Sequence, residues 1–360
     1  MRVNDRRAML AKLLDDMFAR IDDDVAREII LKNWGEADGK HILPSKLAAV
    51  TTLGDNFKGT AVVNIDWMKY FNSLTTLNGC FRKCSEIVSA DLNMINTSKI
   101  VSLRNVFRGC NNLAELHIED WDVSHVTDVT DMFAGCTMLK SLDLSKWTLH
   151  NLIDTHAYET YTDNIGMFSG CSSLQSLRTG AWDFSTMRTN TWNHVGLQSF
   201  NSFFISCSSL QSIDLSAWKV TELESVSEMF SYCKSLKSVN LNGWACKGKV
   251  SVNGMFKGCT SLEEVSMRWT FQDVCGGNSY MFTNCTAMKK LDISGWKLPD
   301  KLDYQFFPPS SQLNTIIMDG CSDDDVKKIE NMAIKTAKIY QDAHVWTYDT
   351  ASGTWVDTAQ

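Results

Sequence analysis

Twelve cysteines and seven histidines are the residues best able to do chemistry in this 360-residue chain, and their spacing decides what that chemistry is. A zinc site calls for CxxC pairs or mixed Cys/His clusters at ligand spacing. The nearest approach is Cys80 with Cys84, and Cys80 stands where other stretches carry Met132, Met229, Met255 and Met281. That equivalence reads as core, not as a ligand. No histidine lies in H-E-x-x-H, no serine in G-x-S-x-G, and no glycine-rich loop is built to cradle a phosphate. Carboxylate pairs such as Glu115 and Glu119 occur, but exposed carboxylates on a regular surface need not act as acid and base. The expectation is a chain with no enzyme activity, no metal and no cofactor.

What positions the cysteines is a repeat. The motif Phe-x-x-Cys occurs as Phe81/Cys84, Phe107/Cys110, Phe133/Cys136, Phe168/Cys171, Phe204/Cys207, Phe230/Cys233, Phe256/Cys259 and Phe282/Cys285. The cysteines step by 26, 26, 35, 36, 26, 26 and 26 residues. An L-x-x-L-x-L strand pattern follows each, as in Leu139, Leu142, Leu144 or Met288, Leu291, Ile293. A tryptophan stands eleven residues after the cysteine at Trp121, Trp147, Trp182, Trp218, Trp244 and Trp296. A ninth strand without the cysteine falls at Leu313, Ile316 and Met318.

One such unit is too short to bury its own apolar side, so units must stack. The pattern predicts a leucine-rich-repeat solenoid, an α/β architecture with a parallel sheet of about nine short strands. Phe, Cys, the aliphatic positions and the indoles should face inward. A free thiol is small and readily buried, so Cys84, Cys110, Cys136, Cys171, Cys207, Cys233, Cys259 and Cys285 are expected to form a reduced, buried structural ladder.

The strings WDVSHVTDVTDMFAGCTMLKSLDLSKW and VSEMFSYCKSLKSVNLNGW resemble the 26-residue repeats of BspA-type bacterial surface leucine-rich-repeat proteins, over about residues 80 to 319. The resemblance implies binding or adhesion at a cell surface, with a protein or glycan as partner. The chain departs from that pattern in its N-terminus, where Lys12, Asp15 and Asp16 interrupt any secretory stretch. A cytoplasmic or virion-associated place is the alternative, as a structural or receptor-binding part of a phage particle or mobile element, or as an intracellular scaffold.

The net charge of −7 argues against nucleic acid, which needs clustered Lys and Arg. No run of 18 apolar residues could span a membrane. Residues 1–44 read as a helical N-terminal cap, 45–79 as a degenerate first repeat, 80–319 as the array, and 320–360 as a capping helix plus a small hairpin. In the first repeat Trp67, Leu74 and Leu77 lie near the expected spacing. Asp22 to Asp24 can cap a helix holding Val25, Ile29, Ile30 and Trp34, and Ser322 can cap one opening with three aspartates. The tail HVWTYDTASGTWVD alternates around Ser352-Gly353, as a hairpin does.

Two candidate binding regions follow. The outward strand positions form a row of Asp91, His117, Asp143, Arg178, Asp214, Asn240, Ser266 and Asp292, polar and without aromatic anchors. The two long units are adjacent, so their insertions should lie side by side. They carry His156, Tyr158 and Tyr161 in one and Trp192 and His194 in the other. Tyrosine and tryptophan among polar neighbours are typical of binding loops. His117 and Arg178 are the candidates on the strand face.

Overall fold

In the computed structural model the chain is a stack of rungs closed by helices and a hairpin at its ends; residues 17–154, 166–185, 188–189, 198–246, 248–269, 273–275, 280–298, 312–330 and 336–358 are described. Helix α1 (Asp24–Trp34) is capped by Asp23, which accepts from the Ala26 amide at 2.8 Å. The other carboxylate oxygen of Asp23 accepts from the amides of Val63 and Asn64, tying α1 to the first rung. A short helix α2 (Pro44–Ala48) and a 3-10 turn (Asp66–Tyr70) follow. Helix α3 (Asp323–Glu330) opens on a reciprocal cap: the Asp325 amide donates to Ser322 Oγ, and the Ser322 amide to Asp325 Oδ2. Between the 3-10 turn and α3 the described residues are strand and turn.

On this face a rung contributes one short strand, with its middle residue buried in Ser212–Asp214 and Ser238–Asn240 and half-buried at Leu177 in Ser176–Thr179. Successive strands pair parallel and in register, with Asp214 beside Asn240, Asn240 beside Ser266 and Ser266 beside Asp292. A second row pairs on the far side of the rungs, through Thr52, Thr76, Ser102 and Asp128 and later through Gln198–Ser199, Leu223–Ser225, Lys249–Ser251 and Asp273–Cys275.

The Phe-x-x-Cys corner explains the repeat. Cys233 N–H closes a turn on Phe230 O, and the preceding residue, Tyr232, has φ +61°. Phe rings of neighbouring rungs stack at 5.5 Å for Phe230–Phe256 and for Phe256–Phe282. Each ladder thiol donates to the Phe carbonyl one rung back, from Cys84 to Phe57 at 2.9 Å through Cys171 to Phe133 at 3.2 Å to Cys285 to Phe256 at 3.0 Å. Each of these buried carbonyls thereby accepts a second hydrogen bond besides the one that closes its own turn. Tryptophans do the same on the other side: the indole N–H of Trp244 donates to Leu215 O and that of Trp296 to Met267 O. Trp269, ten residues after its cysteine, joins that column with a bond to Leu241 O.

The first rung differs from the spacing expected for it. Trp67 lies in the 3-10 turn and donates to Asn64 O within its own unit. Phe57 and Thr60 hold the Phe and Cys places, with Thr60 Oγ1 donating to Phe57 O at 2.7 Å.

Candidate binding face and the two long units

All eight ladder cysteines are free and buried. Burial pushes the thiols of Cys171, Cys233 and Cys285 up to about 12, so they stay protonated donors and poor nucleophiles at neutral pH. Among the described residues no group of three His, Cys, Asp or Glu could hold a metal ion.

The row of outward strand residues is present, and its carboxylates have a local task. Asp143 accepts from the Ser145 amide, Asp214 from the Ser216 amide and Asp292 from the Ser294 amide, each closing the turn that leaves the strand. Hydrogen bonds from Ser145 hold Asp143 below the usual carboxylate range, and those from Ser216 do the same for Asp214. A general acid near neutral pH needs the opposite shift.

Charges on this face, and at the turn that follows the tryptophans, pair from rung to rung. Arg178 reaches Asp143 at 2.8 Å, Lys219 reaches Asp183 at 2.9 Å, Arg268 reaches Asp292 at 2.9 Å and Lys290 reaches Glu264 at 2.9 Å. Arg178 keeps 72% of its side chain exposed. Pairs exposed on both partners, such as Lys290–Glu264, contribute about 0–1 kcal/mol each, so a partner can exchange them at little cost, whereas Arg268 meets a buried carboxylate at Asp292. His117 is exposed and lies 3.4 Å from Glu119.

His156, Tyr158, Tyr161, Trp192 and His194 lie outside the described residues. The stems that lead to them are described. Strand Ile153–Asp154 pairs parallel with Arg188–Thr189, Ile153 beside Arg188 and Asp154 beside Thr189. On the return, Phe168 N–H donates to Phe203 O. Both insertions therefore leave and rejoin the solenoid on neighbouring rungs. Here the sheet is also interrupted: Ser141–Leu144 and Ser176–Thr179 form a two-stranded island, separate from the ladder of Ser89–Asp91 and Glu115–His117 and from the eight-stranded sheet that begins at Ser212–Asp214. Arg178 stands on that island.

The sequence pattern missed residues on this face. Lys338–Gln341 pairs parallel with Thr315–Ile317 and continues the array, before the chain turns back through His344–Asp349 and Thr354–Asp357. Ile317 and Tyr340 thereby join the row after Asp292, so the face has an aromatic residue after all. The strand was hidden because Gln341 fills the last aliphatic position; buried, it donates to Cys321 O.

Stacked units with one strand each, inward aliphatics and a regular polar side chain face define a leucine-rich-repeat solenoid. The chain belongs to the family described as "Mycoplasma protein of unknown function, DUF285", which matches residues 75–190 and 162–296, and its C-terminal part matches the BspA type leucine-rich repeat region over residues 252–342. No curated protein matches significantly. Among solved structures the chain is similar to an internalin, inlF, of Listeria monocytogenes, at 14% identity over 91% of this chain and 89% of that one, with a TM-score of 0.32. A leucine-rich repeat protein of Bacteroides ovatus is 16% identical over 82% of each chain, with a TM-score of 0.33. The plant peptide hormone receptor RGFR1, solved in complex with RGF2, is 14% identical over 77% of this chain and 54% of that one, with a TM-score of 0.28. Proteins of this repeat class are commonly protein-binding modules and typically lack enzyme activity. No helix among the described residues is long and apolar enough to cross a membrane.

Proposed function

We propose that this chain is a non-catalytic binding module that presents its strand face and its two long units to a protein or glycan partner. The observation that carries the reading is the pairing of Ile153–Asp154 with Arg188–Thr189, which brings the roots of both insertions together on neighbouring rungs. Aromatic side chains on adjacent rungs can then act on one ligand, and tyrosine and tryptophan supply contact area at low entropic cost. Rung-to-rung ion pairs around Arg178 and His117 would give the rim.

A glycan array and a panel of host extracellular proteins would identify a ligand for the wild-type chain. Alanine at Tyr158, Tyr161 and Trp192 together is expected to weaken that binding by at least about tenfold, since aromatic anchors carry most interface energy. Arg178→Ala and His117→Ala should weaken it by a few-fold. Binding indifferent to the triple variant would remove the long units from the site.

A further inference from the structure

The apolar residues that the strand face lacks over most of its length are collected at its C-terminal end. Across the ladder Ile317 stands beside Tyr340, Tyr340 beside Val345, and Thr347 beside Val356. These positions alternate with the buried Ile316, Ile339 and Trp355, so they share the outward face. Tyr340 is 37% exposed and Val356 38%. The stripe crosses four strands and ends on the outermost one, Thr354–Asp357. That strand is short and ends on the charged Asp357, but Thr-Trp-Val-Asp contains no proline or lysine, and its register with His344–Asp349 runs without a bulge.

The register determines what the edge offers. Thr358 N–H donates to Val345 O at 2.7 Å, which makes that couple a hydrogen-bonded pair. Antiparallel pairs alternate, so Val356 with Thr347 is the next such pair. The backbone of Val356 therefore points inward, and Trp355 between Thr354 and Val356 directs its N–H and C=O outward.

We propose that Thr354–Asp357 pairs antiparallel with the same strand of a second copy of the chain, about a two-fold axis at Val356. In this register Trp355 of each copy stands opposite Asp357 of the other, so outward backbone meets outward backbone. Val356 faces its own counterpart across a non-hydrogen-bonded pair, with about 4.5 Å between Cα atoms. The charges fit: Asp357 faces an indole instead of a second carboxylate, and His344, 2.5 Å away, already balances it. Self-complementarity is what a two-fold interface requires, and a foreign strand would have to reproduce both matches. The two apolar stripes then meet at the axis, and each eight-stranded sheet continues into the other.

Sedimentation velocity of the full chain between about 1 and 200 μM tests this, a range that spans weak but specific association. The wild type should show a monomer–dimer equilibrium. Val356→Lys should raise its dissociation constant by at least about tenfold through edge charge, with an unchanged far-UV circular dichroism spectrum. Val356→Cys should form a disulfide-linked dimer on mild oxidation, because the facing pair falls within disulfide reach. Asp349→Cys, away from the axis, should not. A wild-type chain that stays monomeric at the highest concentration overturns the proposal, as does a dimer that survives Val356→Lys and is not linked by Val356→Cys.

Discussion

From Phe204 to Trp296 the solenoid stacks on both sides, whereas at the long units only one side keeps its order. The Phe column passes through the long units unchanged, with Phe133–Phe168 and Phe168–Phe204 both at 5.4 Å, and the thiol bonds of Cys171 and Cys207 are intact. On the tryptophan side Trp182 Nε1 is buried without a hydrogen-bond partner, and Trp218 donates to Thr179 Oγ1 in place of a carbonyl. Gly180 lies so close to Trp147 O that a Cβ would sit 2.4 Å from it. Extra aromatics fill the widened interior, with Phe184 4.8 Å from Phe200 and 5.1 Å from Trp218. The insertions lie between each Trp and the next Phe, so the tryptophan side takes up the mismatch. A solenoid can thus hold one corner rigid while another is opened for loops.

The largest expected effect tests whether the Phe corner is the rigid element. Phe230→Ala, in a fully stacked rung, should cost about 3–5 kcal/mol in urea denaturation, as large-to-small core changes do. Phe203→Ala, a half-buried filler at the long units, should cost less than half as much. Hydrogen exchange should localise the first loss to the rungs on either side of Phe230, since coupling in a solenoid runs between neighbours. Equal costs would mean that the filler cluster is as well packed as the column.

A sharper comparison isolates one hydrogen bond. Trp244→Phe and Trp182→Phe remove similar volume, but the first also takes from Leu215 O one of its two hydrogen bonds, the other coming from the Trp218 amide, and the second deletes an N–H that has no partner. Trp244→Phe should therefore cost about 0.5–1.5 kcal/mol more than Trp182→Phe, the usual net contribution of one hydrogen bond. Matched losses would show that the indole bonds are incidental to stacking.

The repeat made most of this fold legible, because every rung needs the same small set of inward side chains and the period cannot hide. The aromatic fillers were illegible: Phe184, Phe200 and Phe203 fall outside the unit pattern, and their place depends on how an irregular loop leaves the stack. The first rung was legible as a degenerate repeat, but its Phe and Cys places were not, because Thr60 replaces the thiol with a hydroxyl that bonds Phe57 O in its own turn. Of the face, the row from Asp91 to Asp292 followed from alternation alone. Its extension to Tyr340 did not, since Gln341 breaks the aliphatic signature and its partners at Cys321 and Asp323 are distant in sequence. The rung-to-rung ion pairs were implicit in the period, for partners 24 or 26 residues apart must be neighbours, as with Arg268–Asp292 and Lys290–Glu264.

The smallest expected effect concerns the hairpin that closes the array, where a single ionic contact replaces the rung machinery. His344 Nδ1 lies 2.5 Å from Asp357 Oδ2, and that carboxylate raises the histidine above its ordinary value near 6.5. Because the folded value is the higher one, the contact's stabilisation is complete below the unfolded value and is lost as pH rises through the folded value. Exchange protection of the hairpin amides should fall as pH rises above 6.5, while that of the rungs stays flat. An NMR titration of the His344 ring should give a midpoint above 6.5, returning toward it in Asp357→Asn. Rungs that lost protection in step with the hairpin would show that the two ends of this comparison unfold as one unit, and that the array is stiffer along its axis than nearest-neighbour coupling allows.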